Sequence, residues 1–249
     1  MQAWWGELHV PEQQSVQFQI GPMSFWVRRQ DGDLLLATAQ AAASMSELWS
    51  PPAVSEAVQP DGTTLHRFAG AQGTLRLAPR LADRPIIARP EHPFWLPSGA
   101  DVTVYMSAPV WVEVSLGGVP LMELPLYRPS DTWFGPSPSD GELCYAVQTS
   151  LRRQLDSQFP RPHRAVTAIQ IRNRGADSLR VQRIRLPAPL LGVYAGAGTL
   201  RTRGVVLERA GEADTTVRLE PLPADVSLLS SPRQASESGL LRAITSFLP

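Results

Sequence analysis

Apolar and polar residues alternate one by one along much of this chain. In SVQFQIG, residues 15–21, Val16, Phe18 and Ile20 point one way while Gln17 and Gln19 point the other. That two-residue period is the mark of a half-buried strand. MSFWVRR and DLLLATA flank Gln30-Asp31-Gly32, a hairpin signal because Gly32 accepts the positive φ of a tight turn. Further strands are expected in TLHRFAG, GTLRLAP, DVTVYMS, VWVEVSL, VPLMELPLY, ELCYAVQT, AVTAIQIRN, SLRVQRIRL, GVVLER and TTVRLEP. Turn residues separate them at Asp61-Gly62, Gly117-Gly118, Asp140-Gly141, Gly175-Ala176-Asp177 and Gly211-Glu212. So many short strands, with no helical period between them, predict an all-β protein of β-sandwich or jelly-roll type.

Proline fits this picture. The 24 prolines among 249 residues are roughly twice the usual ~5%, and proline suits neither helix interiors nor central strands. Pro85, Pro90 and Pro93 cluster near Ile87–Pro93 and mark a boundary between two sandwiches, residues 1–90 and 91–235. One merged sandwich is the rival, with the strands after Gly192 pairing back onto the first half. Residues 236–249 predict a short amphipathic helix, because Leu240, Leu241, Ile244, Phe247 and Leu248 form an apolar stripe behind Ser236 or Ser238 as N-cap. A second short helix is expected around Ala41–Trp49. The stretches 128–141 and 221–239 read as connections.

Composition bounds the class. An apolar fraction of 43% with 18% charged residues describes a globular chain. The N-terminal MQAWWGELHVPEQQ lacks a basic start and apolar core, and LLLATAQAAA is too short to span a bilayer. Cys144 is the single cysteine, so no internal disulfide is available. These features set the expectation of a cytoplasmic protein with no transmembrane segment.

The net charge of zero hides an uneven distribution. Residues 1–150 hold 8 arginines against 15 acids, residues 151–210 hold 12 against 3, and residues 211–249 hold 3 against 5. There is no lysine. The middle segment, at +9 by that count, contains AIQIRNRGADSLRVQRIRLP, residues 168–187. With Ile169 and Ile171 inward, Gln170 and Arg172 face out and Arg174 follows in the turn. Leu179 and Val181 then face in, leaving Arg180 and Gln182 outward. The phase breaks at Gln182-Arg183, which predicts a β-bulge in the second strand of a hairpin; Arg183 and Arg185 lie beyond it. Arg201 and Arg203 share a face on a later strand. Guanidinium groups donate paired hydrogen bonds to carboxylate or phosphate. Arg172, Arg174, Arg180, Arg183, Arg185, Arg201 and Arg203 are therefore the candidate binding residues, for an acidic protein partner or an anionic ligand. The competing reading is that they pair with the acidic N-terminal part of the chain, or simply keep one sheet face solvated. Nucleic acid is not the expected partner, because the chain as a whole is not basic and no recognition motif accompanies the arginines.

Chemistry is harder to find. His9, His66, His92 and His163 are scattered without a metal-binding spacing; Glu91-His92 is the least remote seed of a metal site. No nucleophile elbow, P-loop or dinucleotide fingerprint occurs, and Asp31-Gly32-Asp33 reads as a turn rather than a calcium loop. Cys144, in an alternating strand, reads as a buried and inert thiol. No catalytic residue, metal or cofactor is assigned. The chain reads as a non-enzymatic binding or regulatory module. Two alternatives stand beside it. One is a hydrolase or metal-dependent enzyme with a site assembled from separate strands. The other is a carbohydrate-binding module, since Trp4, Trp5, Trp49, Trp95 and Trp133 fall in or near predicted loops.

Three segments together resemble a known family. DTWFGPSPSDGELCYAVQTS, IQIRNRGADSLRVQRIRLPAPLLGVYAG, and the opening Trp-Gly followed by FQIGPMSFWVRR are similar to a prokaryotic domain of unknown function, number 432, with archaeal and bacterial members. The resemblance implies a β-rich protein along most of the chain. It brings no assigned activity, cofactor or catalytic residue.

Overall fold

A computed structural model describes residues 3–40, 49–55, 63–127, 129–137, 139–155, 161–196, 198–211, 215–222, 225–234 and 240–243. The first strands are β1 (Gly6–Leu8), β2 (Ser15–Ile20), β3 (Met23–Gln30), β4 (Asp33–Gln40), β5 (Trp49–Ser55), β6 (Thr64–Phe68) and β7 (Leu75–Arg80). Then come β8 (Ile86–Pro90), β9 (Phe94–Leu96), β10 (Asp101–Pro109), β11 (Trp111–Leu116), β12 (Val119–Pro125), β13 (Ser130–Ser137), β14 (Asp140–Leu151) and β15 (Arg164–Asn173). The last are β16 (Leu179–Val181), β17 (Ile184–Leu186), β18 (Val193–Gly196), β19 (Thr199–Arg201), β20 (Val205–Arg209), β21 (Thr215–Leu219), β22 (Ser227–Ser230) and β23 (Leu240–Ala243). Among the described residues the only helical element is a 3-10 turn, Ala188–Leu190, and no helix is long and apolar enough to cross a membrane. The fold is all-β, as the alternation predicts.

Two compact units divide the chain. The first comprises Met1–Arg80, Val110–Tyr127 and Arg161–His163. It holds a five-stranded sheet in the order β5-β2-β3-β4-β6 and a four-stranded sheet β1-β7-β11-β12. Val16, Phe18 and Ile20 are all buried. Phe18 stacks on its cross-strand partner Phe25 with centroids 4.9 Å apart, the kind of aromatic pair that stabilises a sheet face. The β3–β4 hairpin closes through Asp31 and Gly32 at φ 54° and 81°. Positive φ at both central residues is what a two-residue hairpin turn of matching twist requires.

The second unit comprises Leu81–Pro109, Arg128–Pro160 and Arg164–Pro249. Its largest sheet is built on β15, which lies antiparallel to β10 on one edge and parallel to β19 and β20 on the other. From Ala165 to Ile169 β15 advances four positions while its partner advances five, from Leu200 to Val205. The extra residue makes a bulge at Thr202–Gly204, pinned by a buried Thr167–Thr202 hydroxyl pair 2.8 Å apart. β18 and β22 extend this sheet beside β19, and β21 and β23 beside β20. A four-stranded sheet β13-β14-β8-β17 and a two-stranded ribbon β9-β16 complete the unit.

Three expectations are corrected here. The segment 168–187 is not a hairpin: β15 pairs with β10, β19 and β20, whereas β16 pairs with β9. The phase break at Gln182-Arg183 is not a bulge but the corner where the chain leaves the β9-β16 ribbon and joins β8 as β17. The C-terminal helix is not formed at Leu240–Ala243, which instead pairs with the edge of β21. A helix this short is marginal alone, whereas an open strand edge offers a row of unpaired backbone groups. Residues 235–239 and 244–249 lie outside the described residues, as do residues 41–48 of the second expected helix.

Candidate functional site

Strand register places the predicted arginines. Asp101 on β10, Arg172 on β15 and Glu208 on β20 are direct cross-strand neighbours, with Ile169 and Ile171 wholly buried behind them. Arg172 lies 3.9 Å from Asp101 and 3.7 Å from Glu208, and donates to Gln170 Oε1 at 2.9 Å. Arg174, one step past the strand, closes on both Asp101 oxygens at 2.7 and 3.0 Å. Arg218 on β21 reaches the other oxygen of Glu208 at 3.7 Å. The result is an alternating charge row across four strands. Each carboxylate serves two guanidinium groups, so an incoming anion meets arginines already engaged.

Beyond the turn, Arg185 on β17 makes a two-pronged contact with Glu142 of β14, one prong being 2.9 Å from Nη2 to Oε2. Arg201 donates to Thr199 Oγ1 at 3.3 Å, and Arg203 to the Glu220 carbonyl at 2.7 Å. Arg201 neighbours Val166 on β15, six positions from Arg172, which at ~3.3 Å per residue is about 20 Å along the strand. The seven arginines are thus spread over the large sheet, the ribbon and the four-stranded sheet, not gathered on one face.

Two of them meet aromatic rings instead. Arg183 lies over Phe134, 5.7 Å from its centroid. Arg180 lies over Trp95 at 5.7 Å, its register partner on β9. Leu179, Val181 and Leu96 are buried, so Trp95 and Arg180 form the outward pair of this ribbon. Trp95 is 64% exposed. With its amide oxygen turned toward Arg180, the only orientation in which donors meet acceptors, Gln182 accepts from Nε and Nη1 at 2.8 Å. A guanidinium over an exposed indole is held by the ring's negative face.

The residue that sequence reasoning missed is Asn173, which is wholly buried. Its Nδ2 donates to the carbonyls of Leu96 and Asp177 at 2.9 and 2.8 Å, and its Oδ1 accepts from Gly175 N at 3.2 Å. One side chain therefore ties the end of β15 to the residue after Trp95 and to the loop leading into Arg180. The signal was in the sequence as Arg-Asn-x-Gly, but nothing there names the carbonyls it would meet.

Other candidates resolve plainly. Cys144 is wholly buried beside Ile87 and Phe134; burial pushes its thiol up to about 12, helped by the charge of Glu142 and opposed by Arg185. His163 is buried while His9 and His92 are exposed. Among the described residues no group of three or more His, Cys, Asp or Glu side chains is placed to hold a metal ion. Trp4 is buried, donating to the Pro162 carbonyl, whereas Trp133 is 43% exposed.

Among curated proteins and among solved structures nothing matches this chain. The model of one family, described as "Protein of unknown function (DUF432)", matches residues 4–248. That match, spanning the segments whose strands carry the arginine row and the Trp95–Arg180 pair, shows that the chain belongs to the DUF432 family.

Proposed function

We propose that the chain is a non-enzymatic binding module built of two β-sandwich units, and that it takes an acidic protein segment at the Trp95–Arg180 pair. In this reading the first sandwich is the N-terminal stretch completed by the hairpin β11–β12. The free, buried cysteine suits a reducing compartment such as the cytoplasm.

The observation that carries the reading is the guanidinium of Arg180 over an exposed indole, both its described partners being neutral. Arg174 and Arg185 are hydrogen-bonded to Asp101 and Glu142, Arg172 is flanked by Asp101 and Glu208 at ion-pair distance, and Arg201 and Arg203 give their hydrogen bonds to a hydroxyl and a carbonyl. An acid arriving at Arg172 must displace a carboxylate already in place. At Arg180 it meets a cation with no carboxylate beside it, as it would at Arg201 and Arg203, but here the cation is exposed and lies on an exposed indole. Tryptophan and arginine are both enriched among binding hot spots. The predicted arginine surface contracts to Arg180, with Arg183 beside it in sequence as a secondary cation.

The test is calorimetric titration with an acidic copolymer of glutamate and tyrosine at low and high salt. Trp95→Ala and Arg180→Gln should each weaken binding by about tenfold or more, the size of a hot-spot truncation. The double change Arg172→Gln, Arg174→Gln should leave it within about threefold. No binding at low ionic strength, or binding indifferent to Trp95→Ala, refutes the proposal.

A further inference from the structure

Trp133 and Leu143 are cross-strand partners on β13 and β14, and both face outward, 43% and 44% exposed. The next outward pair is Asp131 and Tyr145. The indole is fixed: Nε1 donates to the Ser137 carbonyl at 2.8 Å. A Cβ on Gly141 would sit 2.8 Å from that nitrogen, so only glycine lets the ring lie over the hairpin. Beside it the polar side chains are locked together. Tyr145 donates to Asp83 at 2.9 Å, Arg84 lies 5.2 Å over the Tyr145 ring, and Arg84 donates to Asp131 at 3.0 Å.

From this juxtaposition we infer a second binding site on the same unit, a platform for neutral pyranose units of an oligosaccharide, with Trp133 and Leu143 under the sugar's C–H face and Asp131 and Arg84 on its hydroxyls. Three observations select this occupant. The apolar surface offered by two half-exposed side chains is about 200 Å², a quarter of the ~800 Å² that one partner gives to a standard protein interface. The rim of Asp83, Asp131 and Arg84 carries a net negative charge, which opposes phosphate, uronate and acidic peptides. A carboxylate has about four acceptor sites and a guanidinium five N–H donors, so one ion pair between Asp131 and Arg84 leaves both able to grip adjacent hydroxyls. Asp131 keeps 65% of its side chain exposed. The platform is preorganised, since neither the indole nor the ion pair has to be ordered on binding.

The experiment is titration of the full chain with maltohexaose, cellohexaose, chitohexaose and mannohexaose, followed by calorimetry and tryptophan fluorescence. At least one should saturate with a Kd between about 10 μM and 1 mM. Trp133→Ala should weaken it tenfold or more, Asp131→Asn several-fold, and Trp95→Ala not at all; that last result separates this site from the acidic-segment site. Should Trp133→Ala lose the native circular dichroism spectrum, Trp133→Phe and Asp131→Ala take its place, and unchanged affinity in both overturns the inference. So does the absence of saturation by all four sugars up to about 10 mM. A shift in oligomeric state on Trp133→Ala without sugar binding overturns it too, in favour of self-association through this face.

Discussion

Replacing Asn173 by alanine removes one side chain and breaks three hydrogen bonds to backbone groups at once. The Leu96 and Asp177 carbonyls lose donors at 2.9 and 2.8 Å, and Gly175 N loses its acceptor at 3.2 Å. Asn173 is wholly buried, so water does not replace these bonds without opening the turn. Each buried group left unsatisfied costs about 1–3 kcal/mol. The Asp177 carbonyl keeps a donor in Arg209 Nη1 at 3.3 Å and Gly175 N, with the longest bond, contributes at the low end, so the sum is about 2–4 kcal/mol. For a chain of this size that lowers the Tm by roughly 4–16 °C, at about 2–4 °C per kcal/mol. Urea unfolding by circular dichroism measures it, with an unchanged m-value certifying that the midpoint shift reports stability. Asn173→Asp isolates the Nδ2 bonds, because it keeps an acceptor for Gly175 N and Arg209 Nη1 but points another at the Leu96 and Asp177 carbonyls; it should still be destabilising. A loss under about 1 kcal/mol for Asn173→Ala refutes the tie. Trp95 gives a second readout, since untethering Leu96 should increase acrylamide quenching of that indole.

Other outcomes follow from the same geometry. Cys144, with its thiol pushed up to about 12, should hold only ~10⁻⁴ thiolate at pH 8 and react with Ellman's reagent only on unfolding; rapid labelling of native protein contradicts its burial. Because the folded thiol holds its proton above the unfolded value of 9.0, its contribution is complete below about pH 9 and is lost as pH rises toward 12. Tyr145, raised by burial and then by its bond to Asp83, acts in the same direction, and alkaline melts of Cys144→Ser should show a shallower decline than wild type. Gly21→Ala places a Cβ 2.5 Å from the His163 ring at φ +56° and should cost about 2–4 kcal/mol in a thermal melt; a neutral result would mean that this turn has room. A double-mutant cycle of Arg185→Gln and Glu142→Gln should give a coupling near 1 kcal/mol, and zero coupling would make that pair incidental.

Local chemistry was legible, and distant pairing was not. Val16, Phe18 and Ile20 announce their buried face by period alone, and Asp31-Gly32 and Gly117-Gly118 announce hairpins because few other residues accept φ of 54° to 85° at both turn positions. The outward phase of Arg172 and Arg180 was read correctly from Ile169, Ile171, Leu179 and Val181. Their partners were not legible, because Asp101 and Trp95 lie more than seventy residues away and meet them only through register. The break at Gln182-Arg183 looked like a bulge because a change of sheet and a bulge both shift a two-residue period by one. Leu240–Ala243 failed as a helix for a related reason: the free edge of β21 that captures it is invisible in the segment itself.

The central claim is that contact centres on Trp95 and Arg180 rather than on the basic segment at large. Of the seven tryptophan indole N–H signals in a nitrogen-15 correlation spectrum, the one lost in Trp95→Ala identifies Trp95. Titrating the glutamate–tyrosine copolymer should move that signal and the Arg180 amide first, with Arg172 and Arg174 unmoved. A Trp95 signal that stays fixed while Arg172 and Arg174 shift would contradict the account.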